Sequence, residues 1–280
     1  MCGLNDRWLV GTSSGVYSPD DEGQWKRLGA YPFRITAFYR SPERVLAATG
    51  SGLWQIRQGP WLQLHDETLT EVMDVVDGGQ EVIAASAYGV ALGKTDTLGQ
   101  THWRWLSDDL PVNQRFTNAL ALADEQIIAG SEGGVLVYSA DGGWRQTTLR
   151  DVAVRSLTAV ARGFYAGSDG GLWFSGDGVS WQSVSESIPV YSFAECGAVH
   201  IVGTEQGVRL VNGEGAWQSA GLESTRISAV AIDSANARHW LAGACPGGLW
   251  ETWDAGESWT GITEIQHTVE AIASPGGALS

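Results

Sequence analysis

Four arginines occupy equivalent places along the chain, and they are the residues best suited to bind a ligand. Arg34 and Arg226 stand directly before the first apolar residue of a predicted strand, and Arg115 and Arg155 lie within a residue or two of the same place. A guanidinium can bind a carboxylate through two parallel hydrogen bonds, so these arginines predict a site for carboxylates of a ligand or partner. The alternative is that each arginine pairs with an acid of a neighbouring loop, such as Glu67, Asp109, Asp151 or Glu223.

Aromatic and imidazole side chains near the same places extend this candidate site. Tyr31 and Phe33 lie just before the first of the four arginines, and Tyr88 lies in a predicted turn. Tyr191 is close to the start of a predicted strand, and His267 lies in a predicted loop. Aromatic residues and arginine carry much of the binding energy in protein interfaces. Together with the four arginines, these five residues are the predicted binding residues.

Patterns for catalysis or metal binding are weak. The five histidines are isolated, and no pair of them has the spacing of metal ligands. The cysteines Cys2, Cys196 and Cys245 are widely separated and odd in number, so they predict neither a disulfide framework nor a metal site. No glycine-rich phosphate loop leads into a helix. We therefore predict no catalytic residue, no metal and no cofactor.

A repeat supplies the elements that must position these residues. Each unit contains four short strands with alternating apolar and polar residues, and it leaves no room for a helix. A repeat of about 40 residues with this content predicts an all-β, seven-bladed β-propeller of four-stranded antiparallel blades. Near the axis the blades converge, which explains the Ala and Gly of the strands there. The glycine that opens the third strand recurs at Gly15, Gly52, Gly89, Gly134, Gly171, Gly207 and Gly248.

The two ends of the chain supply complementary parts of one blade. The first complete strand, Trp8 to Thr12, has the sequence of a second strand, and the last, Val269 to Ala273, has that of an innermost strand. This predicts one domain over residues 1–280, whose closing blade joins residues 267–280 to residues 1–28 and so removes a free sheet edge. The innermost strands are predicted to begin near Ile35, Val72, Phe116, Leu157, Tyr191, Ile227 and Val269.

A polar turn closes the outer hairpin of several units, and its clearest copy is Thr252-x-Asp254-x-Gly256-x-Ser258-Trp259. The aspartate can accept hydrogen bonds from the turn, the glycine allows positive φ, and the tryptophan covers the hairpin. This turn resembles the Asp-box, or BNR repeat. Weaker copies contain Asp20, Asp141 and Asp177 and end at Trp25, Trp144 and Trp181.

Over nearly its whole length the chain is similar to the seven-bladed BNR and YVTN-like propellers, which include photosystem II assembly factors and the sortilin ectodomain. Members of that group mostly bind proteins or peptides. The resemblance therefore implies a non-enzymatic scaffold, assembly factor or complex subunit. It would contact a protein partner through its loop face, which consists of the turns between the second and third strands of each blade and the connections between blades.

Two carbohydrate functions remain as alternatives. A lectin-like propeller would use surface tryptophans such as Trp105, Trp240 and Trp253. A sialidase-like glycoside hydrolase is the other: the segment from Phe33 to Thr36 resembles the Phe-Arg-Ile-Pro motif of sialidases but lacks its proline. Tyr191 and Glu195 would then have to form the nucleophile pair, although no spacing marks them as a couple.

Charge and hydropathy exclude two classes of partner. The formal net charge is −15, which repels phosphate backbones and argues against nucleic acid. No run approaches the roughly 18 apolar residues of a membrane span. No secretory signal is visible at the N-terminus. The sequence therefore predicts an acidic cytoplasmic protein that does not insert into a membrane.

Overall fold

The protein is a ring of seven four-stranded antiparallel sheets, as the sequence predicts. The computed structural model describes residues 3–79, 81–123, 126–184, 187–211 and 217–276. In six of the sheets the strands follow one another outward from the axis in chain order, and in the seventh the last described strand lies innermost, followed outward by the first three. Neighbouring innermost strands contact each other in a closed circle, so the sheets are the blades of a propeller.

The described residues contain the following strands. The outer strands of the closing blade are β1 (Leu9–Thr12), β2 (Gly15–Pro19) and β3 (Trp25–Arg27); blade 1 is β4 (Ile35–Arg40), β5 (Val45–Thr49), β6 (Gly52–Ile56) and β7 (Leu62–Gln63); blade 2 is β8 (Val72–Asp77), β9 (Glu81–Ser86), β10 (Gly89–Thr95) and β11 (Thr101–Trp105). Blade 3 is β12 (Thr117–Ala123), β13 (Gln126–Ser131), β14 (Gly134–Ser139) and β15 (Gly143–Arg150); blade 4 is β16 (Val154–Val160), β17 (Gly163–Ser168), β18 (Gly171–Ser175) and β19 (Gln182–Ser183). Blade 5 is β20 (Val190–Cys196), β21 (Val199–Thr204), β22 (Gly207–Val211) and β23 (Trp217–Ser219); blade 6 is β24 (Ile227–Asp233), β25 (Asn236–Ala244), β26 (Leu249–Thr252) and β27 (Thr260–Ile262); the innermost strand of the closing blade is β28 (Val269–Ala273).

The closing blade combines both ends of the chain, which confirms the predicted closure. Strand β28 pairs antiparallel with β1, with Leu9 opposite Ala273 and Val10 opposite Ile272. The innermost strands begin at or next to the predicted residues in six blades. In blade 4 the strand begins at Val154, three residues before the predicted Leu157, because the ladder continues past the bulge described below.

One feature of the connections differs from the prediction. The repeat left no room for a helix, yet a single helical turn, α1 (Val112–Arg115), lies in the long connection between blades 2 and 3. A short 3-10 turn (Leu4–Asp6) precedes β1. The extra length of the connection gives the chain space for α1 without disturbing either sheet. Within the described residues, no helix has the length and apolar character needed to cross a membrane.

Small residues in the second strand of each blade allow the blades to approach. A Cβ atom added at Gly243 would lie 2.2 Å from Cγ1 of Val269, the first residue of the next innermost strand. An added Cβ at Gly11 would likewise lie 2.6 Å from Ile35, and one at Gly130 would lie 2.6 Å from Val154. This contact is the physical reason for the small-residue strands near the axis.

Adding a methyl group at this seam is expected to weaken the ring. Gly243→Ala should lower the free energy of unfolding by about 2 kcal/mol, because Val269 and its strand must shift to admit the new atom. Gly176→Ala is the control, since its Cβ would meet only Arg162 O at 3.9 Å. Denaturant unfolding of both variants tests this, and equal midpoints for the two would contradict it.

Candidate functional site

The turns between the second and third strands present much of the loop face, and a shared hydrogen-bond pattern holds them. In six of the seven turns a buried Ser or Thr at the end of the second strand donates to the carbonyl of the following glycine and accepts from the backbone of the turn, as in Ser86 with Gly89 and Tyr88. All seven repeat glycines have positive φ, which other residues rarely adopt. The turn residues are therefore held in fixed positions.

A β-bulge at the start of every innermost strand forms the rim of the central channel. In each blade one residue has no partner in the neighbouring second strand. Bulges turn side chains out of the regular alternation and are common near functional sites. The seven bulge residues, which we call the rim ring, are Thr36, Met73, Asn118, Arg155, Tyr191, Ser228 and Glu270, and all of them line a channel cavity of about 750 Å³.

Three members of the rim ring join neighbouring blades by donating to a backbone carbonyl. Thr36 Oγ1 donates to the carbonyl of Val72 at 2.6 Å, and Asn118 Nδ2 donates to that of Val154 at 3.0 Å. Ser228 Oγ donates to the carbonyl of Val269 at 2.5 Å. The sequence reasoning missed these residues. The sequence nevertheless contains a signal for these residues, because each directly follows the first residue of an innermost strand.

Inside the channel, the half-buried Asp74 has a carboxyl group that bridges blades 2 and 3. Its two oxygens accept hydrogen bonds from the backbone of Val75 at 2.8 Å and of Leu120 at 2.7 Å. Burial raises the pKa of Asp74 to about 7, against the opposite effect of these two hydrogen bonds.

The predicted arginines do lie on the loop face, but their guanidinium groups are engaged within the protein. Arg34 binds Glu270 of the closing blade, with Nε 2.9 Å and Nη2 2.8 Å from the carboxylate, and lies 3.5 Å from Glu71. Arg155 binds Asp169 through two bonds of 2.9 and 2.7 Å and Glu132 at 2.7 Å. Their carboxylate-binding capacity is therefore largely used within the ring.

Arg226 lies above the ring of Tyr191, with its guanidinium carbon 4.4 Å from the ring centroid. Glu205 lies beside both, 2.6 Å from the Tyr191 hydroxyl, which donates to it, and 3.5 Å from Arg226 Nε. Burial and the neighbouring carboxylate raise the pKa of Tyr191 to about 12. The phenol therefore stays protonated at neutral pH. A sialidase-like site would require Tyr191 to pair with Glu195, but the Tyr191 hydroxyl binds Glu205 instead.

Arg115 makes no ion pair among the described residues. Its Nη2 donates to the carbonyls of Asp108 and, at 3.1 Å, of Leu110. None of the four acids suggested as loop partners from the sequence binds an arginine in the described part of the chain; those four are Glu67, Asp109, Asp151 and Glu223. The acids that do so lie in a bulge, in turns or in a connection, and all but Asp169 belong to a blade next to that of the arginine.

The predicted aromatic residues divide into two groups. Tyr31 and Phe33 are half-buried in an aromatic stack, with Tyr31 4.8 Å from Trp61 and Phe33 5.1 Å from Trp54 between ring centroids. Tyr88 is 61% exposed at its turn. His267 is also exposed, beside Tyr17 on the same face.

On the opposite face, three of the four predicted aspartates accept hydrogen bonds from their turns. Asp254 accepts from Ser258 N at 2.9 Å and Thr252 Oγ1 at 2.7 Å, and Asp177 accepts from Ser180 N at 2.7 Å. Asp20 accepts from Gln24 N at 2.9 Å. Asp141 is exposed, and no hydrogen bond of its carboxylate occurs within the described chain, because its turn is two residues shorter.

The tryptophans of these turns cover the hairpins and reach neighbouring blades. Trp144 and Trp259 donate from Nε1 to Leu106 and Ala220 of the preceding blade, both at 2.7 Å. Trp181 is buried and donates to the Gly178 carbonyl, and Trp25 opens β3. Of the three tryptophans considered as sugar platforms, Trp240 is fully buried, Trp105 is half-buried and Trp253 is 62% exposed.

Removing the carboxylate of Asp254 is expected to destabilise the protein more than removing that of Asp141. Hydrogen bonds from Ser258 lower the pKa of Asp254 to about 2, so its contribution is present at neutral pH and is lost as the pH falls from about 4 to about 2. Asp254→Ala should lower Tm at pH 7 more than Asp141→Ala does, and the difference should narrow in acid. A constant difference down to pH 2 would contradict this.

A cluster outside the loop face surrounds His239, which sequence reasoning treated as isolated. This residue is 3% exposed, and its ring stacks on Trp253 at 3.6 Å. Both ring nitrogens meet carboxylates, Nδ1 with Asp233 at 3.0 Å and Nε2 with Glu251 at 2.8 Å. No group of three or more metal-ligating side chains suited to a metal ion occurs among the residues that the structure describes.

The fold and the rim define a seven-bladed β-propeller with a loop face centred on a channel. The family described as "Beta-prop_HVO_0234:-like, beta propeller" matches residues 5–163, more than half of the chain, and the protein belongs to this family. A comparison with curated proteins finds no match.

Solved propellers resemble the chain in fold at low sequence identity. The extracellular domain of BT4673 from B. thetaiotaomicron, described as a hybrid two-component system, is 15% identical with a TM-score of 0.71 over 87% of this chain and 36% of its own. The GH74 xyloglucanase from Xanthomonas campestris is 17% identical with a TM-score of 0.64 over 91% of this chain and 46% of its own. The computationally designed Ika8 protein is 18% identical with a TM-score of 0.57, over 84% of this chain and 76% of its own. The chain thus spans about a third to a half of the two natural proteins, and these likenesses show the fold alone.

Proposed function

We propose that this propeller is a non-enzymatic binding module of the Asp-box type, which docks a protein partner on its loop face as a scaffold, assembly factor or complex subunit. The observation that carries the proposal is the exposed apolar pair of Tyr88 and Val112, which are 61% and 82% exposed. Both lie on the loop face: Val112 is in the connection between blades 2 and 3, and Tyr88 is in the neighbouring turn of blade 2. Exposed apolar side chains held in fixed positions are typical of interfaces.

The other predicted contact residues supply the surroundings of this pair. Arg34, Arg226 and His267 are exposed around the channel mouth, whereas Tyr31 and Phe33 are half-buried in their stack. We place the protein in the cytoplasm, and the free thiols of Cys196 and Cys245 support a reducing compartment.

Co-purification with matched variants tests the proposal. A stoichiometric protein partner should be retained by the wild type and by Leu98→Ser, and lost with Tyr88→Ser and Val112→Ser combined. Leu98 is the control because it is 90% exposed but lies in the turn between β10 and β11, on the opposite face. Retention of the same partner by the double variant would contradict docking at this place.

Glycoside cleavage is the second candidate, and the bond between Tyr191 and Glu205 favours it. A tyrosine nucleophile next to a carboxylate base would use this geometry. The raised pKa of Tyr191 and the internal pairing of the arginines speak against it. Hydrolysis of an aryl sialoside that is lost in Tyr191→Phe would establish the enzyme. Glycan binding that is lost in Trp253→Ala but kept in Arg34→Ala would instead establish a lectin.

A further inference from the structure

The connection between blades 2 and 3 is held rigidly on the loop face. Ser107 is buried, and its Oγ accepts a hydrogen bond from Val90 N at 2.8 Å. Leu110 N donates to Ser107 O at 3.0 Å, and Arg115 closes the loop by donating to the carbonyls of Asp108 and Leu110. The guanidinium thus fixes the conformation of this segment.

Helix α1 rests on the turns of both blades. An added Cβ at Gly89 of blade 2 would lie 3.2 Å from Arg115 Cγ, and one at Gly133 of blade 3 would lie 3.1 Å from Asn113 O. These close approaches place α1 between the two turns. The apolar pair therefore consists of Val112 on a fixed helix and Tyr88 on the turn beside it, the latter edge-on to Trp105 at 6.4 Å.

Carboxylates flank this pair on two sides. Asp108 and Asp109 are exposed at the start of the connection and make no ion pair within the described residues. On the blade 3 side, Glu132 shares Arg155 with Asp169. Arg115, the cation of α1 itself, donates to backbone carbonyls and pairs with neither aspartate. Asp108 and Asp109 therefore give the surface beside the apolar pair unpaired negative charge, in keeping with the net charge of −15.

We infer that the occupant of this surface is a protein segment with an apolar or aromatic residue flanked by lysines or arginines. The apolar residue docks between Tyr88 and Val112, and the cations face Asp108 and Asp109. Charge complementarity selects this partner chemistry over an acidic one. The inference rests on the proposed function and adds the place and the charge of the partner.

Peptide selection tests the inference with a defined probe. A displayed library of random short peptides is selected on the purified full chain, and the enriched peptides are synthesised and measured by fluorescence anisotropy at low and high salt. The enriched sequences should contain an apolar residue between basic ones. Tyr88→Ser combined with Val112→Ser should weaken their binding at least about tenfold.

Charge variants test the cationic character of the partner separately from its docking at Tyr88 and Val112. Asp108→Asn combined with Asp109→Asn should weaken binding several-fold and reduce its salt dependence. Leu98→Ser should leave binding unchanged. Enrichment of acidic or neutral peptides that still require Tyr88 and Val112 would overturn the cationic partner while leaving loop-face docking intact. If no peptide binds, or if binding is indifferent to every loop-face variant, both the inference and the proposed function fail.

Discussion

Replacing Arg40 with methionine is expected to lower the free energy of unfolding by about 3 kcal/mol, because three backbone carbonyls lose a charged donor in a buried place. Arg40 ends β4 of blade 1 and is 2% exposed. Its guanidinium donates to Ser274 O, just after β28, and to Arg7 O at 2.9 Å and Leu4 O at 3.4 Å, just before β1. One side chain thus holds both ends of the chain against the first blade.

The charge of Arg40 persists despite its burial. Burial lowers the pKa of Arg40 to about 10, so the guanidinium remains protonated at neutral pH. Denaturant unfolding measures the loss of unfolding free energy in Arg40→Met. Hydrogen exchange of this variant should show that the amides of β1 and β28 lose protection first. Arg57→Met is the control: this arginine is exposed in the same blade, and its replacement should change stability by at most about 0.5 kcal/mol. If both variants unfold at the same denaturant concentration, Arg40 does not fasten the ring.

The fold could be predicted from the sequence because its determinants are local and repeated. Positive φ at glycines such as Gly52, and a small residue such as Gly243 facing the next blade, recur once in every blade or in most of them. The closure followed from the register of the repeat, since the first strand had the sequence of a second strand. The α1 turn was missed because it belongs to one connection and has no counterpart in other blades.

The site was only partly predictable, because its contacts cross between blades. The sequence placed Arg34 on the loop face but not its partner Glu270, which lies 236 residues away. The binding of Arg40 to backbone carbonyls leaves no signature, since every residue has a carbonyl. Tyr88 was correctly placed in a turn, whereas the exposure of Val112 depends on how α1 lies across Gly89 and Gly133.

His239 is the second residue whose replacement should have a large effect, and the effect should depend on pH. A histidine can donate from both nitrogens only as imidazolium, so the bonds to Asp233 and Glu251 require the charged form. Burial lowers the pKa of His239, but these hydrogen bonds outweigh it, and the net pKa is raised above its usual value. Trp253 stacks on one face of the ring, and Trp8 of the closing blade meets it edge-on at 5.4 Å.

The direction of the pH effect follows from this raised pKa. The contribution of the charged ring to stability is complete below the usual histidine pKa of about 6.5, and it is lost as the pH rises through the higher pKa of the folded protein. His239→Gln should therefore lower the free energy of unfolding by about 2 kcal/mol at pH 6. The difference from wild type should shrink as the pH rises through this higher pKa, because the neutral ring can donate to only one carboxylate.

His102→Gln is the matched control for this measurement. His102 also meets a carboxylate, Asp96 at 2.9 Å, but its side chain is largely exposed, and such surface pairs contribute about 0–1 kcal/mol. Denaturant unfolding of wild type and both variants between pH 6 and pH 9 separates the two sites. If the difference between wild type and His239→Gln does not change with pH, His239 is not held as an imidazolium. The contribution of His239 to the seam between blade 6 and the closing blade would then come from ring packing alone.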